Sequence, residues 1–284
     1  MSKMLMLRKN KMADSATLSK TQGVSSGRRR LFWAVFKREM GHYLQTPGVY
    51  VALAFFLLLS GAFFTLSVSD FVAASAKVLA GADLPDGELP LNVTDRIITQ
   101  LFSLLNFLML LLVPMLTMRL ISEERKSGTF ELLVSTPLEN LDILLGKFFA
   151  ALAMGSLVLL FCASYPLICM LFSEPEIPVI ISCFIGLFLI VMAYTAFGLF
   201  ASSVTESQIA AAVLSFVGLL IFQMVDLLFK AGSLGVLAGA LSVRKHSETF
   251  TMGIVSTVDV GFFILFTVFF LFLAVQVLDA RRKG

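Results

Sequence analysis

The stretch VIISCFIGLFLIVMAYTAFGLFAS, Val179 to Ser202, carries no charged residue and no proline over 24 positions. About 20 apolar residues of α-helix cross the hydrocarbon core of a bilayer, whereas a barrel strand needs about 10. Backbone N–H and C=O groups in lipid have no water to bond. A run of this length therefore satisfies them internally, as a helix.

Five more stretches meet the same standard: Gly48–Leu66, Leu101–Met118, Phe148–Leu171, Ile209–Phe229 and Val258–Val277. The chain is 58% hydrophobic and only 14% charged, against roughly 45–50% and 25% in soluble domains. One soluble core of this size could not hide so much apolar surface. The predicted fold is an all-α membrane protein with six transmembrane helices. Pro114 and the Tyr165-Pro166 pair mark expected kinks.

Residues 1–30 are polar and rich in Ser, Lys and Arg, and read as a disordered basic cytoplasmic tail. They lack the apolar core of a signal peptide. Residues 31–284 form the membrane domain. It opens with LFWAVFKREMGHYL, Leu31–Leu44, where Phe32, Phe36, Met40 and Tyr43 recur at helical spacing and Lys37, Arg38 and Glu39 cluster on another side. Too short and too charged to span, it suits an amphipathic elbow helix at the interface, and Pro47 separates it from the first span.

Lysine and arginine set the orientation. With the N-terminus inside, seventeen lie on the cytoplasmic side and five on the other. Both ends of the chain are then expected in the cytoplasm. Ala231–Val243 is apolar and Gly-rich but too short to cross. It reads either as a re-entrant or interfacial hairpin on the outer side, or as a plain surface helix.

The longest inner loop between spans is MRLISEERKSGTFELLVSTPLENLDILLGK, Met118–Lys147. Glu123, Glu124, Arg125 and Lys126 form a charge block, Gly128 is a helix stop, and Thr129 to Leu133 begin a second helix ended near Pro137. Helix, glycine break and amphipathic helix make a docking element for a soluble partner. The alternative is that these charges merely set topology.

Here the sequence resembles a family. Arg125–Leu138, RKSGTFELLVSTPL, is similar to the E-R-x-S-G-T-x-E-L-L-L-x-T-P motif of ABC-2 type transporter permeases. PMLTMRLISEE (Pro114–Glu124), KREMGHYLQTPGVYV (Lys37–Val51) and FASSVTESQIAA (Phe200–Ala211) resemble the gliding-motility, GldF-like branch, with Ser207 in place of its usual Asn. The likeness runs from Phe36 to the C-terminus.

The resemblance implies an exporter-type permease with a cytoplasmic coupling helix within Ile121–Leu133. It places Glu123, Glu124, Arg125, Ser127, Gly128, Thr129, Glu131 and Leu132 against a separate nucleotide-binding ATPase. Phe36, Arg38, Glu39, Tyr43 and Pro47 would belong to the elbow helix. Ser202, Ser203, Thr205, Glu206 and Gln208 would form a second inner turn near the same subunit. It also implies a second permease copy or paralogue, and makes an auxiliary subunit with a periplasmic domain a natural companion. Lipid surrounds the chain, and nothing in its charge of +3 points to nucleic acid.

A phosphate-cradling loop requires G-x-x-x-x-G-K-[ST]. Gly146-Lys147 is followed by Phe148, and Leu141 stands where the first glycine belongs. The chain is therefore read as holding no cofactor, with ATP and magnesium on the partner. Other chemistry is thinly supplied. Cys162, Cys169 and Cys183 lie in apolar runs and read as buried hydrophobes. His42 and His246 are far apart in sequence. Asp226 and Lys230 have i,i+4 spacing for a helical ion pair, Asp259 begins the last span, and Asn106 and Gln223 suit interhelical hydrogen bonds. A self-contained secondary transporter would show inverted repeats with midplane ion sites. An intramembrane enzyme would show H-E-x-x-H, G-x-S-x-G or paired aspartates. Neither pattern is seen.

Overall fold

The computed structural model describes residues 32–80, 92–126, 140–229 and 232–282. The tail 1–30 lies outside them, as do Ser127, Gly128, Thr129, Glu131 and Leu132 of the expected coupling segment. Among the described residues there is no strand. Helix α1 covers 32–45 and α2 Pro47–Leu79. A π-helical turn, Thr94–Thr99, leads into α3, Gln100–Thr117, followed by the short α4, Ser122–Lys126. Then come α5 (Asn140–Cys162), α6 (Ser164–Phe172), α7 (Ile177–Val204) and α8 (Gln208–Leu228). The chain ends with α9 (Gly232–Leu241), α10 (Val243–Thr251) and α11 (Thr257–Arg282). Among the described residues, six helical segments are long and apolar enough to cross a membrane, at the six predicted places.

The bundle is built around α7, the helix encoded by the uncharged run quoted first. It packs on α3, α5, α8, α10 and α11. Small residues let neighbours approach closely, the usual route to helix association where no hydrophobic drive separates protein from lipid. Gly186 shows the need: a Cβ there would sit 2.6 Å from Cβ of Phe250, itself 1% exposed. By contrast, α2 and α8 are the least enclosed spans, with 22% of their apolar windows buried against 67% for the second and third spans.

Two breaks follow from proline. Thr46, extended at φ −88° and ψ 111°, is the only residue between α1 and α2. The residue before a proline is pushed out of the helical region, and Pro47 then starts the next helix where a missing N–H costs nothing. The third span is interrupted between Cys162 and Ser164, because Pro166 can neither donate to Cys162 O nor pack its ring against that carbonyl. The break directs Tyr165 to α2, where its hydroxyl lies 2.8 Å from Ser60 Oγ. At Pro114 α3 is continuous.

At the bundle end opposite α1, α9 packs on α8, and α10 returns against α7, α8 and α11. Phe250 meets α7 at Gly186, about 14 Å along that helix from Ile177 at 1.5 Å per residue. Within the Ala231–Val243 stretch, α9 lies against α8 with Val236 and Leu237 exposed, and the fold-back belongs to α10. Asn106 Nδ2 donates to Ser247 Oγ at 3.2 Å, and Tyr194 donates to Gln223 Oε1 at 3.0 Å. Both amides thus bond between helices as expected.

Lys230, the expected partner of Asp226, lies outside the described residues. Among the described residues Asp226 is gripped by Arg244 and by the Ser242 hydroxyl at 2.8 Å, both brought to it by the fold-back of α10. Asp259, at the start of the last span, is 6% exposed and bonds His246 Nδ1 at 2.5 Å and the Thr249 hydroxyl at 2.7 Å. The three cysteines are free and buried.

Candidate functional site: a charge cluster at the elbow end

Helix α1 buries the stripe Val35, Glu39 and Tyr43, which recurs every four residues. Phe36 and Met40 are partly buried beside it, and Trp33 stays 63% exposed. The sequence pattern puts Glu39 on the polar side with Lys37 and Arg38; the helix instead turns it inward, to 8% exposure. The reason is on α5. A Cβ at Gly146 would stand 2.8 Å from Val35 Cγ1. The glycine lets α1 close onto α5, and the next residue, Lys147, then meets Glu39.

Lys147 is 2% exposed. Its Nζ lies 3.0 Å from Glu39 Oε1 and 2.9 Å from Glu124 Oε1, and donates to Leu120 O at 2.6 Å. Arg38 reaches the same two carboxylates, at 2.8 Å from Glu39 and 2.5 Å from Glu124. Two cations and two anions from α1, α4 and α5 so form one network. Taking one such ion out of water costs several kcal/mol, about what a paired and fully bonded arrangement repays. Burial alone would push the Glu39 carboxyl up. Lys147 and Arg38 together outweigh burial and hold it below the ordinary carboxylate range. Tyr43, whose own ionisation is raised by burial and by Glu39, anchors α1 to α3 by donating to Leu116 O at 2.8 Å.

The other flank of α4 is tied to the α7–α8 turn. Ser202 accepts from the backbone N–H groups of Ile121 and Ser122, both at 3.1 Å, and donates to Met118 O at 3.1 Å. One hydroxyl thereby fills its bonding capacity and caps α4. Arg125 donates to Ser203 O at 3.1 Å and Thr205 O at 3.3 Å, and pairs with Glu206 at 2.6 Å. Arg281, near the end of α11, donates to Val204 O at 2.8 Å.

Of the turn residues named from sequence, Ser202 and Ser203 are the last turn of α7, Thr205 and Glu206 form the turn itself, and Gln208 starts α8 after the cap Ser207. Glu124 and Arg125 face opposite flanks, and Glu123 is half-buried. Lys147 is a site residue that sequence reasoning misses. Its signal is a lysine inside an apolar run behind a glycine, a pattern that on its own reads only as a failed phosphate loop.

Among the described residues of this arrangement there is no nucleophile or acid–base pair poised over a substrate. It joins elements mechanically: a five-residue helix bonded to α1 and α5 on one side and to α7 and the α7–α8 turn on the other. Among the described residues, six candidate spans with α7 at their centre and a charged junction at the elbow end make a polytopic α-helical membrane protein. The chain belongs to the ABC-2 family of transporter proteins, whose family model matches residues 33–242. It is therefore an ABC transporter permease, a class whose membership implies an ABC ATPase partner. No curated protein matches the chain.

Proposed function

We propose that this chain is the membrane subunit through which a separate ATPase drives export or translocation of a substrate across a bacterial cytoplasmic membrane. Its elbow end faces the cytoplasm, as the seventeen-to-five bias of Lys and Arg favours. The observation that carries the reading is the two-sided bonding of α4. A partner that shifts α4 pulls on Lys147 in the third span and on Ser203–Glu206 between the fourth and fifth at once.

ATP and magnesium bind the partner. Closure of paired ATPase subunits moves α4, and Ser127, Gly128, Thr129, Glu131 and Leu132 serve as contacts to the ATPase. The spans respond only because the ATPase states grip this loop differently. A second permease copy or paralogue completes the pathway. Within the family, the elbow, lead-in and Phe200–Ala211 motifs favour the gliding-motility branch, where an auxiliary subunit with a periplasmic domain joins the assembly.

Reconstitution with the cognate ATPase tests this. Glu124→Gln and Lys147→Met should leave the complex assembled but abolish the membrane subunit's effect on ATP turnover. Unchanged coupling in both variants would overturn the proposal.

A further inference from the structure

Beside the charge cluster, a cavity of about 330 Å³ opens between α1, the start of α2 and the end of α3. That volume lies within the roughly 300–1,000 Å³ of small-ligand sites. Its depth is fixed by the two spans that wall it: α2 begins at Pro47 and α3 ends at Thr117. It therefore sits at the level of lipid headgroups, whichever leaflet that is.

Besides His42, Tyr43 and Thr46, its lining holds charged groups that divide into two sets. Arg38, Lys147, Glu39 and Glu124 are engaged with one another. Arg119 and Glu123 also line the cavity, and neither has an ion-pair partner among the described residues. Nε of Arg119 is buried with no hydrogen-bond partner among them. Its Nη2 stands 3.9 Å from where a Gly48 Cβ would be, so the absent side chain leaves it room. A half-buried cation with an unfilled donor is costly and calls for a ligand. A guanidinium suits phosphate oxygens, which it can hold through paired N–H donors. Below these charges the wall turns apolar, through Val49 and Ala52 of α2 and Met115 of α3, which is 43% exposed towards the outside of the bundle.

A cation and an anion with open valences, and an apolar flank open to the side, together describe an amphiphile's headgroup. We propose that this cavity binds a phospholipid with a primary ammonium headgroup, its phosphate on Arg119, its ammonium at Glu123 and its chains along Val49, Ala52 and Met115. Basic pockets among spans are known to take lipid headgroups; here the neighbouring carboxylate selects for a zwitterion. This inference stands apart from the coupling reading, since the lipid is a resident ligand and its site needs no ATPase.

The test uses the delipidated full chain in detergent, titrated with phosphatidylethanolamine, phosphatidylglycerol, diacylglycerol or water-soluble glycerophosphoethanolamine, with bound lipid read by native mass spectrometry. Phosphatidylethanolamine should bind at least about tenfold more tightly than diacylglycerol or the soluble headgroup. Arg119→Gln should weaken both phospholipids about tenfold, while Glu123→Gln should erase only the preference for phosphatidylethanolamine. Ala52→Phe, which fills the cavity without touching a charge, should exclude all lipid while thermal unfolding in lipid-free detergent stays as in the parent. Equal binding of diacylglycerol, equal binding of the soluble headgroup, or indifference to Arg119→Gln would overturn the proposal. So would an Arg119→Gln chain that keeps its lipid but loses its ATPase, because the cavity would then be a partner contact.

Discussion

Lys147 and Glu39 are 108 residues apart in the chain and 3.0 Å apart in space. Their pair closes α1 onto the third span, and Glu124 joins the same ammonium from α4. Removing the ammonium strips both carboxylates of their buried cation. Lys147→Met should therefore cost about 3–5 kcal/mol, the usual penalty for an uncompensated buried charge. Adding Glu39→Gln should recover part of that loss. Denaturant unfolding of the two single variants and the double variant gives the coupling energy, and simple additivity would show that the cluster is not a unit.

The same cluster sets an acid limit. Glu39 titrates below its ordinary value of 4.5 in the fold. A lowered carboxylate contributes stability that is fully present above the unfolded value and is lost as pH falls through the folded one. Thermal stability scanned from pH 7 downward should hold to about 4.5 and then drop. Glu39→Gln should show a smaller drop over that window, and an identical profile would place the acid sensitivity elsewhere.

Gly146 offers a steric test free of charge effects. A valine there would press on Val35, whose Cγ1 is only 2.8 Å from the place a Cβ would take. Overpacking of this kind costs about 1–3 kcal/mol. Val35→Ala should restore most of it in the Gly146→Val chain, as read by melting temperature in micelles.

Arg125 and its partner Glu206 should differ sharply. The arginine side chain is 9% exposed and serves the Ser203 and Thr205 carbonyls, whereas Glu206 is 74% exposed. Glu206→Gln should cost under about 1 kcal/mol, as exposed ion pairs do. Arg125→Met should cost about 1–3 kcal/mol by stripping buried carbonyls of their donor. Parallel unfolding curves in detergent measure both, and equal costs would mean that the backbone contacts carry nothing.

The spans are readable because the apolar requirement of lipid is written along one dimension, as in Val179–Ser202. The elbow helix is readable from its period, but the inward turn of Glu39 is not, since a carboxylate looks polar until its cation is known. That cation sits in the third span, and only tertiary packing at Gly146 brings it near. The Arg244 partner of Asp226 is hidden for a related reason, since it arrives only once α10 folds back. His246 and Asp259, thirteen positions apart, are likewise joined by a turn of the chain that no local pattern announces. The segments singled out by the family motifs meet at the elbow end of the bundle, where Ser202 bonds the backbone of Ile121 and Ser122, and Glu206 pairs with Arg125.

Helix α2 has 33 residues, so it is about 50 Å long against a hydrocarbon core of about 30 Å. It starts at Thr46, a single extended residue, beside a helix pinned by Glu39 and Tyr43. A rod hinged at one end magnifies small rotations. Tilting α2 by about 10° at Thr46 would swing Leu79 through about 9 Å, taking 1.5 Å of rise per residue. An adjustment of one bond length at the elbow thus becomes a displacement the width of a helix beyond the opposite face of the membrane.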